Sequence, residues 1–233
     1  MKDSGSTKVY FRDISFLTDE ERFNSMLDSV SETRRNKVMS YRFIKDRCLS
    51  LGAELLLRDA LAERGIERSG LLEFEYRKNG KPYLKNHEDI FFNLSHSGDY
   101  VMCAISDSEV GCDIQKTDKA DIKLAERFFT DREYHVIADL PAEKDREDMF
   151  YRYWTLKESF MKATGLGMQL PLDAFEIIIT DSVAASGTAE KPSAPAHSAG
   201  ITVTQSVDDQ TYAFTEYNHI PGYKAAVCTM IHA

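Results

Sequence analysis

The stretch Trp154-Thr155-Leu156-Lys157-Glu158-Ser159-Phe160-Met161-Lys162, followed by Gly165-Leu166-Gly167, carries the most informative pattern in this chain of 233 residues. It closes a helix-rich segment and ends in a glycine turn. Glu158 and Lys162 are four residues apart, so they lie on one face of the predicted helix. The pair is either an ordinary exposed ion pair, or a metal-binding or proton-accepting carboxylate beside a cation that faces phosphate.

A second polar cluster lies earlier, in the strand-like stretch Gly111-Cys112-Asp113-Ile114-Gln115. Side chains alternate along a strand, so Asp113 and Gln115 share one face. Carboxylate and amide oxygens are suitable ligands for a hard cation such as Mg²⁺. The alternative interpretation is a strand end whose polar side chains are solvated.

A third cluster, Asn93-Leu94-Ser95-His96-Ser97-Gly98, places a hydroxyl and an imidazole at a predicted strand end before a glycine turn. Such groups can hydrogen-bond a phosphate, although a single histidine in a turn is more often a surface residue. A basic segment precedes this cluster, with six cations against the single acid Asp46. Its cations are either a solvated helix face or converge with Lys81 and His96 on one anionic ligand. They are Arg34, Arg35, Lys37, Arg42, Lys45 and Arg47, of which Arg34, Lys37 and Lys45 are expected to share a helix face.

Composition excludes several classes of protein. Hydrophobic residues make up 42% of the chain, enough for a substantial core, and 29 basic against 38 acidic residues give a net charge of −9. This charge argues against general nucleic-acid binding. No segment approaches the roughly 20 apolar residues of a membrane span. The four cysteines show no metal-binding or disulfide spacing, so we expect reduced thiols in a cytoplasmic protein without nucleic-acid or membrane partners.

The order of predicted elements indicates an α+β fold of two related halves, residues 1–110 and 111–233. In each half a helix is followed by a glycine turn with a nearby proline and then by strands. A stretch rich in Ala, Ser, Pro and Gly, about 182–200, is expected to be a mobile surface loop. Strands are predicted at 9–11, 74–76, 83–84, 90–95, 100–106, 110–114, 175–180, 201–205, 211–217 and 225–230, and helical segments at 19–30, 32–63 and 123–164.

The three polar clusters, in this order, resemble the 4′-phosphopantetheinyl transferases, and in particular the larger, surfactin-synthetase-activating type. The family pattern runs N-[IL]-S-H-S, then G-[IV]-D-[IV]-E, then W-[ST]-x-K-E-[SA]-x-x-K. The resemblance covers about Arg34 to Met230. It implies two similar α/β halves related by a pseudo-twofold axis, with the active site in the cleft between them. The N-terminal half would face the 3′-phosphate and adenine of coenzyme A, and the C-terminal half would carry the metal and catalytic residues.

The resemblance also implies a reaction. The phosphopantetheine arm of coenzyme A would move to a serine hydroxyl of an apo acyl or peptidyl carrier protein, with release of adenosine 3′,5′-bisphosphate. Mg²⁺, or Mn²⁺ in its place, would assist, and one chain would suffice as a monomer. By motif position, Asp113, Gln115 and Glu158 would bind the metal, Glu158 and Lys162 would be catalytic, and Arg47, Lys81, Ser95, His96 and Lys162 would bind coenzyme A.

The sequence departs from the family pattern at Gln115, where a second glutamate is usual. The lost charge predicts weaker or more promiscuous metal binding. Thr33 and Asn36 stand where lysines are expected. Lys157 points about 100° away from Glu158 around the helix and is expected to matter less.

Carrier recognition is expected to use a neutral or apolar patch, because an acidic chain and an acidic carrier repel each other. The segment around Phe128 and Phe129, at the mouth of the cleft, is the predicted place. Two alternatives remain at this point: a degenerate member that binds coenzyme A or a carrier protein without turnover, and an unrelated Mg²⁺-dependent phosphohydrolase.

Overall fold

The structure, a computed structural model, describes residues 7–66, 72–180 and 200–231 and is of mixed α and β type. Its helices are α1 (Glu20–Leu27), α2 (Glu32–Ser40), α3 (Ile44–Ala62), α4 (Lys123–Phe128), α5 (Asp131–Ala138) and α6 (Glu143–Thr164). Its strands are β1 (Lys8–Asp13), β2 (Phe74–Tyr76), β3 (Pro82–Leu84), β4 (Phe91–Ser97), β5 (Tyr100–Ser106), β6 (Val110–Lys116), β7 (Glu176–Ile179), β8 (Ile201–Thr204), β9 (Thr211–Tyr217) and β10 (Tyr223–Ile231).

Two three-stranded antiparallel sheets organise the chain. The first has the order β1-β5-β4 and the second the order β6-β10-β9. In each sheet, the strand that comes first in the sequence pairs with the strand that comes last. The last strand also pairs with the strand that precedes it in the sequence. Two small antiparallel pairs, β2-β3 and β7-β8, accompany the sheets.

Each sheet is covered by a long helix, and a third apolar cluster lies between the two sheets. Leu51 and Leu57 of α3 are buried in the first cluster, and Leu156 and Phe160 of α6 in the second. The third cluster joins β5, β6 and β10; its buried members are Met102, Ala104, Val110, Cys112, Ile114, Ala225 and Val227. Burial of this apolar surface is the main force that holds the sheets and helices together.

Gly111 allows β6 and α6 to approach unusually closely. A Cβ atom at this position would lie 2.8 Å from the carbonyl carbon of Lys162 and still closer to the backbone of Ser159 and Ala163. Glycine is therefore required here by the packing of strand against helix. This contact brings the residues after Gly111 beside the last turns of α6.

Two predicted features differ from the structure. The helical stretch predicted over 32–63 is broken, because Tyr41 and Phe43 are extended, with ψ of 137° and 139°. Lys45 therefore does not share a helix face with Arg34 and Lys37. The turn predicted at 96–99 is shorter: Ser97 pairs with Tyr100, so only two residues connect β4 and β5, and Gly98 takes a φ of 57°.

The loop predicted at about 182–200 falls outside the described residues, except for Gly200. Within 7–66, 72–180 and 200–231, no helix combines the length and apolar character needed to cross a bilayer.

Candidate active site

Hydrogen bonds that involve side chains connect β4 to β6 where the two sheets meet. Alternate residues of β4 carry side-chain oxygens that accept hydrogen bonds from alternate backbone N–H groups of β6. The three bonds run from the amides of Cys112, Ile114 and Lys116 to Asn93 Oδ1, Ser95 Oγ and Ser97 Oγ, at 2.9, 3.3 and 3.0 Å. We call this the side-chain ladder; it sets the position of β6 relative to β4.

The side-chain ladder holds Asp113 in place. Ser95 Oγ donates to Asp113 Oδ1 at 2.8 Å, and Lys162 Nζ binds the same oxygen at 2.7 Å. Gln115 Nε2 lies 3.4 Å from Asp113 Oδ2, while its Oε1 accepts from Ser97 Oγ at 3.2 Å. Asp113 is 2% exposed, so its charge depends on these partners. The structure thus brings together four predicted site residues: Ser95, Asp113, Gln115 and Lys162.

Lys162 remains charged in this setting. Its Nζ also donates to Cys112 O at 3.1 Å and Ser95 Oγ at 3.3 Å. Burial alone would lower the pKa of Lys162, but Asp113, Cys112 and Glu158 together outweigh burial and raise it. The ammonium therefore offsets negative charge across the physiological range.

Glu158 lies one helical turn before Lys162 and is half-buried. Burial raises the pKa of Glu158, and the nearby Asp113 carboxylate raises it further, whereas Lys162 lowers it. Among the described residues, none donates a hydrogen bond to the Glu158 carboxylate. A half-buried carboxylate with a raised pKa beside a second carboxylate is suited to binding a cation or accepting a proton.

The oxygen-bearing side chains predicted to bind a metal suit a hard cation, although they are few. In the described part of the chain, no group of three or more His, Cys, Asp or Glu side chains is arranged to hold a metal ion. The predicted metal ligands are the carboxylates of Asp113 and Glu158 and the amide of Gln115, so only two of the three belong to these residue types. The two carboxylates offer oxygen, and a cation would relieve the mutual repulsion of Asp113 and Glu158. Gln115 would have to turn its amide to offer oxygen, because its Nε2 faces Asp113 and its Oε1 faces Ser97.

His96 lies near enough to this cluster for the charges of Lys162 and Asp113 to act on its imidazole, but it is not part of the cluster. His96 is exposed on β4, on the face opposite the buried Ser95. Desolvation of the imidazole by the groups packed around it, and then the Lys162 cation, lower the pKa of His96. Arg47 Nε donates to Tyr41 O at 2.8 Å, at the beginning of α3.

Lys81 lies outside the cluster around Asp113, between Glu109 and the end of α6. Its Nζ donates to Glu109 Oε2 and Lys162 O, both at 2.8 Å, and to Val110 O at 3.0 Å. Burial lowers the pKa of Lys81, opposed by Glu109. Lys81 borders a cavity of about 380 Å³, whose lining also includes Tyr76, Arg77, Lys78 and Phe91.

Two cations of α2, Arg34 and Arg35, pair with carboxylates outside the cluster. Arg34 Nε binds the buried Glu54 carboxylate at 2.7 Å, and Arg35 pairs with Asp28 at 3.2 Å. Arg34 therefore fastens α2 to α3, and the hypothesis that it faces an anionic ligand with Lys81 and His96 is wrong.

Lys157 has a structural role that the sequence pattern did not identify. Its ammonium is fully buried, 2.7 Å from the Glu133 carboxylate, and donates to two backbone carbonyls. Phe129 lies beneath it and is 4% exposed. Phe129 thus belongs to the core, so the expectation that it contacts a carrier protein is wrong; Phe128 is 39% exposed.

Comparison with known proteins agrees with this arrangement. Residues 109–228 match the model of the 4′-phosphopantetheinyl transferase superfamily, and residues 17–108 match a model described as 4′-phosphopantetheinyl transferase, N-terminal. The 4′-phosphopantetheinyl transferase Sfp of Bacillus subtilis (strain 168) is 33% identical over 211 residues, which cover 90% of this chain and 85% of the relative. Psf-1 of Bacillus pumilus is 36% identical, over 86% of this chain and 78% of the relative. Ffp of Bacillus subtilis is 31% identical, over 95% and 91%.

The two family models together match most of the chain. The boundary between the two matched segments falls immediately before β6, the strand that carries Asp113. The motif residues that the sequence placed in three separate clusters meet at this boundary. The chain belongs to the 4′-phosphopantetheinyl transferase superfamily and is of its larger, surfactin-activating type.

Proposed function

We propose that this protein transfers the 4′-phosphopantetheine arm of coenzyme A to a serine hydroxyl of an apo acyl or peptidyl carrier protein and releases adenosine 3′,5′-bisphosphate. The observation that supports this best is the grouping of Asp113, Glu158 and Lys162 where the two sheets meet. Two carboxylates and one cation at a cleft suit transfer from a pyrophosphate. The similarity to transferases such as Sfp supports the same reaction.

Asp113, Glu158 and Gln115 would hold Mg²⁺, or Mn²⁺, against the pyrophosphate oxygens. When bound, the cation would withdraw charge from the phosphorus under attack and stabilise the departing phosphate. The chain's own contribution is to keep Asp113 ionised through Ser95 and Lys162.

Glu158 would accept the proton of the incoming serine. Its raised pKa makes the ionised Glu158 carboxylate a stronger base than that of an exposed glutamate. The serine oxygen then bonds to the phosphorus that carries the pantetheine arm, and the bond to adenosine bisphosphate breaks. Lys162 would offset the negative charge that develops on the leaving group.

Coenzyme A would extend from this cluster toward the cations of the N-terminal half. The cavity beside Lys81, with two further cations and aromatic rings in its lining, suits a phosphorylated nucleoside. His96 and Arg47 would contact other phosphate oxygens. Ser95 acts mainly through Asp113, because its hydroxyl already donates to that carboxylate and accepts from Ile114.

The halves 1–110 and 111–233 would be related by a pseudo-twofold axis; the common strand order of the two sheets supports this. One chain supplies both sides of the proposed cleft, which favours a monomer. A cytoplasmic location agrees with the use of coenzyme A and with four free, buried cysteines.

Glu158→Gln tests the proposed chemistry, with Glu147→Gln as the matched control on the same helix. We expect kcat for carrier modification to fall at least about 100-fold in Glu158→Gln and to stay unchanged in the control. Coenzyme A affinity, measured by calorimetry without Mg²⁺, should change little in either variant. Wild-type protein that binds coenzyme A but modifies no carrier would refute the proposed function in favour of a binding protein without turnover.

A further inference from the structure

The corner between α2 and α3 exposes an unusual run of apolar side chains. All seven residues from Met39 to Lys45, here called the corner surface, are exposed. The four large apolar side chains among them are exposed by 38–62%, with Phe43 at 62% and Ile44 at 58%. The flanking residues Val38 and Cys48 are 0% and 1% exposed, so the corner is anchored in the core. A contiguous exposed apolar run on a well-packed frame is typical of an interaction site.

The corner surface is also basic, in contrast to the rest of the chain. Residues 37–47 hold four cations, Lys37, Arg42, Lys45 and Arg47, against Asp46 alone, whereas the whole chain has a net charge of −9. The guanidinium of Arg42 lies over the Phe43 ring, 5.4 Å from its centroid. Apolar side chains surrounded by cations complement a partner face that is apolar and acidic.

The corner surface adjoins the site described above. Lys45 Nζ lies 3.2 Å from Asp99 Oδ1, in the turn that follows β4. Lys116 Nζ lies 3.6 Å from the other oxygen of Asp99, and the Lys116 amide donates to Ser97 in the side-chain ladder. A protein bound at the corner would therefore lie beside the ends of β4 and β6 that carry Ser97 and Lys116.

The other candidate surface, on α4, is weaker. Its exposed apolar residues Leu124 and Phe128 are 38% and 39% exposed. The surrounding segment 118–131 carries no excess of positive charge. Both exposure and charge thus favour the corner surface over α4.

We propose that the corner surface is where the apo carrier protein docks, with Phe43 and Ile44 contacting an apolar, acid-rimmed face of the carrier. This inference rests on the proposed function, because it assumes that a carrier protein is the acceptor. The cations around the two side chains would attract the carrier locally although the two proteins as a whole repel each other.

The test compares KM for an apo peptidyl carrier protein with KM for coenzyme A. We expect Phe43→Ser and Ile44→Ser each to raise the carrier KM about tenfold, with kcat and the coenzyme A KM unchanged. Both side chains are exposed, so the variants should fold like the wild type. Met168→Ser, at a residue 89% exposed and outside the corner, is the matched control and should change nothing.

A charge variant adds an independent readout. Arg42→Glu should lower kcat/KM for the carrier and reduce its dependence on salt, because one attractive charge becomes repulsive. An unchanged carrier KM in Phe43→Ser and Ile44→Ser would overturn the docking proposal. A carrier KM that increases only in Phe128→Ser would overturn it as well. A rise in the coenzyme A KM alone would also overturn it, by assigning the corner to coenzyme A. Failure of the wild type to modify any carrier would instead refute the proposed function.

Discussion

Replacing Lys157 with methionine removes the cation from a fully buried ion pair. Lys157 and Glu133 are 0% and 1% exposed and are 2.7 Å apart. In the variant, Glu133 keeps the N–H donors of Thr130 and Ile177, at 2.9 and 2.8 Å, but loses its counter-ion. Removing one partner of a buried pair costs about 3–5 kcal/mol, whereas the total stability of a domain is about 5–15 kcal/mol. We therefore expect Lys157→Met to lose about 3–5 kcal/mol of unfolding free energy.

Urea unfolding followed by tryptophan fluorescence measures this loss. Trp154 is the only tryptophan of the chain, and its ring centroid lies 6.2 Å from that of Phe129 and 5.6 Å from that of Phe150. The double variant Glu133→Gln/Lys157→Met removes both charges and should be more stable than the single variant, because no buried charge is left without a counter-ion. The recovery should be partial, since a glutamine can accept only one of the two N–H bonds that the Glu133 carboxylate accepts. A single variant that loses less than about 1 kcal/mol, or a double variant no more stable than the single, would refute this reasoning.

Three further outcomes follow from the site and its packing. Gly111→Ala should cost about 3 kcal/mol in urea unfolding and abolish most activity, since the new methyl group meets the backbone of α6; a stable, fully active variant would contradict this. Because burial raises the pKa of Glu158, kcat should increase with pH through a pKa above the usual carboxyl range and level off once Glu158 is ionised; a profile whose rise is already complete within the usual carboxyl range would count against Glu158 as the base. Gln115→Glu should lower the Mg²⁺ concentration that gives half-maximal activity, as it restores a negative charge beside Asp113; an unchanged concentration would show that Gln115 does not face the metal.

Local patterns in the sequence predicted much of the fold. The strands at 100–106 and 211–217 have the predicted bounds, and the turn before Pro82 lies between β2 and β3 as expected. Glu158 and Lys162 lie on one helix face, because helix geometry alone determines that relation. The break at residues 41–43 was missed, since no glycine or proline marks it.

Features that depend on distant contacts could not be predicted. The side-chain ladder joins residues 19 positions apart, and the alternating oxygen-bearing residues 93, 95 and 97 were its only local signal. The burial of Lys157 and Phe129 depends on where α5 and the turn before β7 pack against α6. The roles of Arg34 and Lys81 likewise depend on acceptors from other elements, Glu54 and Glu109.

Intact-mass analysis of an apo peptidyl carrier protein and an apo acyl carrier protein, after incubation with this protein, coenzyme A and Mg²⁺, tests the central claim most directly. The account predicts that at least one carrier gains the mass of phosphopantetheine. The gain should disappear with EDTA and in Glu158→Ala but persist in Glu147→Ala. A carrier mass that stays unchanged with the wild type, or a gain that persists in Glu158→Ala, would contradict the account.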